Sequence, residues 1–275
     1  MTSSGWALVL GPGGPVGTAW LLGLAAGLRE AGSDLADADL IVGTSAGAIA
    51  GAAIRTGRDL TELAELPPPS EPRPPADLSV MGRAFELGAD PDLGPDEVRR
   101  RIGRLALEAG ALPEERHRAS MRFLVGTDEW PSGRLLVTGV DVATGEPVVW
   151  DASSGVPLSA AVAASSSAPG FAEPVTIGGR RYMDGAFAGG SNVALAAGAG
   201  TVVVIEPFAH MSDGAGPDVR IVPDEGSLEA FGDNVGDMSR WSPVYRAGRR
   251  QAPDAARLIG SCVSISRKVG WRDAR

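Results

Sequence analysis

Residues 41–54 read IVGTSAGAIAGAAI. Ile41 and Val42 are β-branched and suit a buried strand, whereas Ala46 to Ile54 is a small, apolar run that suits a packed helix. Between them stands G-T-S-A-G, with Ser45 flanked by Gly43 and Gly47. A Gly-X-Ser-X-Gly turn from strand to helix is a nucleophile elbow. The glycines leave room for a turn that side chains would block, and the hydroxyl is held out at the strand's carboxyl end. The helix that follows aims free N–H groups and its positive dipole end at any oxyanion formed there. Ser45 is therefore the candidate nucleophile. With 38 glycines in the chain the bare pattern arises easily by chance, and what distinguishes it is the strand–turn–helix setting.

The same grammar stands just upstream. WALVL, Trp6 to Leu10, predicts a short buried strand, and GPGGPVG, Gly11 to Gly17, predicts a loop. TAWLLGLAAGLREAG then predicts a helix ending near Gly32. Two successive strand–loop–helix units predict a parallel sheet wrapped by helices, with both loops at one edge. A dinucleotide-binding loop would need G-x-G-x-x-G and an acid closing the second strand. Here the spacing is G-x-G-x-x-x-G and the strand closes in Gly43-Thr44. An oxyanion hole fits better. Pro12 and Pro15 have no N–H to give, which leaves Gly13 and Gly14 as donors, with Ala46 just after the serine. Glycines serving only a tight turn would look the same.

A serine at neutral pH needs a base. The chain has two histidines. His117 lies in the charged stretch EERHRAS and is expected at the surface, while His210 follows TVVVIEPF and stays open as a triad member. The carboxylate candidate is Asp184 in YMDGAF, beside Tyr182, Met183 and Phe187 and followed by the small Gly185. Apolar neighbours would desolvate the acid, raise its pKa and make it a better base, although an ordinary Asp-Gly turn has the same sequence. An aspartate base raised from about 3.9 is expected to keep activity well below pH 6, where a histidine of pKa about 6.5 would be fading.

PPPSEPRPP, Pro67 to Pro75, predicts an extended, semi-rigid segment. Helical patterns over Met81 to Leu87 and Pro95 to Leu107 follow, with too little apolar content for a core of their own. Residues 60–115 are thus expected to form a Pro-rich insertion, a cap over the sheet. MRFLVGT, RLLVTGV and PVVW predict strands, the last two joined by the hairpin-like turn DVATGE. VPLSAAVAAS predicts a helix stopping at SSSAPG; Val175 to Ile177 and GGRRYMDGA predict a strand, a turn and a return. TVVVIEP is the clearest buried strand. The expected organisation is a catalytic domain over residues 5–210 and a helical tail over residues 211–275, packed on the same domain and interrupted at Pro253.

A chain of 275 residues can bury a sizeable core. Its net charge of −9 argues against nucleic acid as a partner. Glu62 to Glu97 holds nine acids and two bases, whereas Arg240 to Arg275 holds nine bases and two acids. These regions could meet each other, meet a partner, or form two solvated faces. No apolar run would span a bilayer, Met1 to Leu10 lacks the marks of a secretory signal, and Cys262 is the single cysteine, so a cytoplasmic protein is expected. No His/Cys/Asp cluster has ligand spacing, and neither metal nor cofactor is expected.

In its order of Gly-rich loop, G-T-S-A-G, A-S-S-S-A-P and D-G-A, the chain from Ala7 to Pro207 resembles the patatin-like phospholipase family. The resemblance implies a three-layer α/β/α fold with a mostly parallel central sheet and a Ser–Asp dyad working without histidine. It also implies hydrolysis of acyl esters of lipids, met in transient contact with a membrane surface. By the same resemblance Ser45 is the nucleophile, Asp184 of D-G-A the base, and Gly11 to Gly17 the oxyanion loop. The block from Ala164-Ser165 to Pro169 helps shape the site. Two departures stand out: Pro12 interrupts the glycines, and Val16 stands where the family carries a basic residue, which weakens any preference for a phosphate head group. An acyltransferase or thioesterase would use the same acyl-enzyme, and a hydrolase-like scaffold could bind acyl chains without turnover. The α/β-hydrolases also use an elbow, but after several strands; here it follows the second.

Overall fold

The first two strands, β1 (Trp6–Leu10) and β2 (Leu40–Gly43), lie side by side and parallel in a computed structural model, which describes residues 5–68, 71, 72, 74–209, 211 and 216–270, with side chains as far as Cys262. Each feeds a helix at its carboxyl end, α1 (Gly14–Glu30) after β1 and α2 (Ala46–Arg55) after β2. The remaining strands are β3 (Arg134–Asp141), β4 (Pro147–Trp150), β5 (Val175–Ile177), β6 (Arg180–Asp184), β7 (Thr201–Ile205) and β8 (Val219–Ile221). The sheet runs β5-β6-β3-β2-β1-β7-β8, with β4 also on β3. From β3 through β8 every pairing is parallel, while β4, β5 and β6 pair antiparallel. This is a mixed, mostly parallel sheet.

Three strands pair with β3, and a strand has two edges. Val137 faces both Gly43 and Trp150, and Gly139 faces both Val148 and Asp184. Hence β4 takes one edge, while β2 and then β6 share the other. Because β2 runs parallel to β3 and β6 antiparallel, their carboxyl ends point at each other. That meeting point is where G-T-S-A-G and D-G-A come together.

Side chains alternate between the two faces of the sheet. Leu8, Leu10, Ile41, Val203 and Ile205 face a helical layer of α1, α2, α5 (Glu114–Val125), α6 (Leu158–Ser165), α8 (Glu225–Phe231) and α9 (Trp241–Gly270). Ala7, Val9, Val42 and Val204 face the other way, onto a 3₁₀ turn at Val193–Ala196. On that side α3 (Leu78–Gly88), α4 (Pro95–Glu108) and the short α7 (Ala186–Gly189) share an apolar cluster with Val140, Val142 and Met183. The helices α3 and α4 thus pack on the end of the sheet.

The sequence misleads in three places. MRFLVGT is not a strand: Met121 to Val125 closes α5, whose buried residues His117, Met121, Leu124 and Val125 recur at helical spacing. Acidic Glu114 and Glu115 open that helix and left-handed Gly126 ends it. The tail also contains a strand, β8, parallel to β7. Finally, α9 runs straight through Pro253. The carbonyl that Pro253 cannot serve is that of Arg249, which lies against Gly27 of α1. The described ion pairs of the basic tail go to Glu30, Asp224, Asp237 and Asp254 rather than to the acidic stretch at 62–97. Among the described residues no helix is long and apolar enough to cross a membrane.

Candidate active site

Ser45 sits between β2 and α2 with φ 55° and ψ −117°, a conformation costly for any side chain but glycine. Gly47 makes the turn possible: a Cβ there would overlap the Leu10 carbonyl at the end of β1. Gly43, the last residue of β2, lies equally close to the backbone of Gly47 and Ala48. The elbow is thus packed directly on the neighbouring parallel strand, and Ser45 is 6% exposed.

Asp184 closes β6 and is 2% exposed. Its carboxylate accepts a hydrogen bond from the Ala186 N–H at 2.9 Å and lies under the influence of the Ser45 hydroxyl. Burial pushes its pKa up to about 7; the Ser45 hydroxyl and the Ala186 N–H pull the other way and lose. The turn behind it also needs a glycine, because a Cβ on Gly185 would overlap Thr138 of β3.

The A-S-S-S-A-P-G block holds both turns. The Ser45 N–H donates to Ser165 Oγ at 3.0 Å, and the Ser165 carbonyl accepts from the Gly185 N–H at 3.3 Å. The Ser167 carbonyl accepts from the Asp184 N–H at 3.1 Å, while its hydroxyl donates to Ala164 at 2.9 Å. Pro169 is buried and leads into left-handed Gly170, whose carbonyl accepts from the Asp77 N–H at 2.9 Å, joining this block to the segment that opens α3.

Gly11 and Gly17 pack against Glu206 and Pro207 after β7, and Gly17 also approaches Ala46. In the loop the Gly11 N–H is used by Ile205, the Val16 N–H by Val235 and the Gly17 N–H by Gly13; in the elbow the Gly47 N–H is used by Thr44. Gly13, Gly14 and Ala46 stand at the starts of α1 and α2, where N–H groups have no intrahelical acceptor. Two helix N-termini, from adjacent parallel strands, therefore converge on one edge of the sheet.

His117 departs from expectation. It is buried, 3% exposed, because α5 turns it inward. Its Nε2 donates to the Ala163 carbonyl at 2.9 Å and lies 3.3 Å from Ser166 Oγ. A nitrogen that donates its proton to a carbonyl is not free to accept one from a serine. His210 lies outside the described residues. Thr44, Thr138 and Asn192, whose side chains surround the two turns, are not expected there from the sequence: Thr44 lies inside the elbow and Asn192 shortly after D-G-A, while Thr138, in β3, carries no sequence signal.

The model of the patatin-like phospholipase family matches residues 8–197. The chain belongs to that family. Its loop, elbow, A-S-S-S-A-P block and D-G-A all fall inside the matched range. Two solved structures are similar: VipD from Legionella pneumophila, 14% identical with a TM-score of 0.39 over 76% of this chain and 51% of that one, and the type III effector protein ExoU, 19% identical with a TM-score of 0.38 over 91% and 52%. The chain spans about half the length of either. No curated relative matches the chain.

Proposed function

We propose that the chain is a serine acyl-ester hydrolase acting on lipid or lipid-like esters, of phospholipase A or lysophospholipase type. The observation that supports this best is a strained serine beside a buried carboxylate whose pKa is pushed up to about 7. A carboxylate poised there is a competent base at neutral pH. In this reading Asp184 takes the Ser45 proton as Oγ attacks the ester carbonyl carbon. The carbonyl electron pair moves onto oxygen, held by the N–H groups of Gly13, Gly14 and Ala46 and by two helix dipoles. Collapse returns the pair, breaks the C–O bond, and passes the Asp184 proton to the leaving alcohol. Water, activated by Asp184, repeats the sequence on the acyl-serine and releases the acid.

Val16 brings no positive charge to the loop, which favours acyl esters recognised by chain rather than by phosphate. A lipid-like substrate implies transient contact with a membrane or micelle surface. Residues 5–210 form the catalytic unit, 60–115 its cap, and 211–275 a tail on the same domain.

A fluorophosphonate probe tests the reading together with p-nitrophenyl ester turnover. Stoichiometric labelling at Ser45, lost in Asp184→Asn along with turnover, is expected. An unlabelled Ser45 in folded, ester-inactive protein would leave only an acyl-binding scaffold.

A further inference from the structure

The sheet pairs both β2 and β6 with β3 rather than with each other, so strand pairing alone leaves the gap between Ser45 and Asp184 loosely set. The Asn192 side chain crosses that gap. Its Nδ2 donates to Thr44 Oγ1 at 3.0 Å, beside Ser45, and lies 3.2 Å from the Gly185 carbonyl, beside Asp184. It is also 3.1 Å from the Gly190 carbonyl. Carbonyls only accept, so the amide nitrogen and not its oxygen must face them. Thr44 Oγ1 accepts a second hydrogen bond, from Thr138 Oγ1 at 2.9 Å, which ties the same point to β3.

The backbone tells the same story. Among the described residues Ser45 and Asn192 are the two non-glycine residues with positive φ, Asn192 at φ 56° and ψ 39°. Asparagine tolerates this left-handed region better than most residues. Ser165 and Ser167 hold the two turns from the α6 face of the sheet; Asn192 holds them from the opposite face, beside Val193.

We infer that Asn192 is a positioning residue for the serine–aspartate pair, its amide fixing the distance between the nucleophile turn and the base turn. This rests on the reading of Ser45 and Asp184 as a catalytic dyad. Asn192 touches neither substrate nor reacting atoms and acts through Thr44 and Gly185.

The discriminating variant is Asn192→Gly, because glycine adopts the left-handed region freely and only the amide is lost. On a p-nitrophenyl ester kcat should fall ~10²-fold with KM unchanged, the size of loss that accompanies an ångström of misplacement. Thr44→Val should lose less, and the double variant should lose less than the product of the two single losses, because side chains in contact couple. Should thermal melting show the glycine variant unfolding early, Asn192→Asp keeps the shape and tolerates the same backbone while being unable to donate, and the same kcat loss is expected. A fully active Asn192→Gly, or losses that multiply, overturns the inference. Asp184→Asn separates the two possible failures. If it stays active the dyad itself is wrong, whereas a dead Asp184→Asn beside an active Asn192→Gly removes only the positioning role.

Discussion

Ser45 occupies a backbone conformation that costs energy and is held there by contacts from three directions: α2 beyond it, Ser165 behind it and Asp184 in front. Ser45→Ala should leave the melting temperature near that of the wild type and lower ester turnover by about three orders of magnitude or more, as expected when one member of a catalytic unit is removed. Retained turnover in the alanine variant would make the elbow irrelevant to activity. His210→Gln should keep wild-type kcat, since the reading assigns proton transfer to the carboxylate; a collapse of kcat would restore the triad. The pKa of Asp184 changes what the pH profile can say. The base must be ionised to accept a proton, so activity should fall as pH drops through about 7, not persist well below pH 6 as the sequence suggests. Stability responds in the opposite sense. Burial favours the neutral acid, so the folded chain binds this proton more tightly than the unfolded chain, where the group titrates near about 3.9. The resulting stabilisation is fully present below that value and is lost as pH rises through about 7. Asp184→Asn, uncharged throughout, should therefore melt above the wild type at pH 8, with the gap narrowing towards pH 4. A gap of constant size would refute the burial account.

Among the elements, the α1–α9 crossing shows how small residues set a helix pair. Gly23 and Gly27 on α1 lie against the α9 backbone at Tyr245 and Arg249, and Gly248 on α9 lies against Trp20. The close approach lets α9 clamp the 3₁₀ turn at Leu60–Leu63, where Trp241 Nε1 donates to Leu63 at 2.7 Å and the Tyr245 hydroxyl to Leu60 at 2.9 Å. Gly23→Ala would drive a Cβ into the Tyr245 carbonyl and should cost ~1–3 kcal/mol, the usual price of overpacking. Gly82→Ala in α3 meets open space and should instead gain ~0.5–1 kcal/mol from better helix propensity. Urea midpoints read both, and a Gly23→Ala variant as stable as the wild type would show that the crossing is looser than described. The same helix explains why Pro253 reads as a break but is not one. Pro253 lacks the N–H that would serve the Arg249 carbonyl, and that carbonyl lies against Gly27 of α1.

Across the whole molecule, the proposed function would have an acyl chain approach a Ser45 that is 6% exposed, and a movable element beside it would ease that approach. The helices α3 and α4, proposed as a cap, are the candidates, because they rest on one small cluster at the end of the sheet and the start of α3 touches the motif loop at Gly170. Limited proteolysis should nick first between Leu66 and Leu93, and a long-chain fluorophosphonate on Ser45 should slow that cleavage; cleavage indifferent to the inhibitor would leave a surface excursion. Much of this architecture is legible in the sequence. The elbow, the Gly-rich loop, the β5–β6 hairpin and the first two strand–helix units follow from glycine, proline and β-branched residues acting on their own neighbours. Steric preference is short-ranged, so a short stretch of chain states it completely. Other features needed the assembled sheet. Ser45 and Asp184 meet because β2 and β6 abut along one edge of β3. His117 is buried, and its segment is helical, because α5 packs against α6. The pKa of Asp184 is set by how completely groups from distant parts of the chain exclude water from it. Strand partnership and desolvation depend on residues remote in sequence, and only the tertiary structure brings those together.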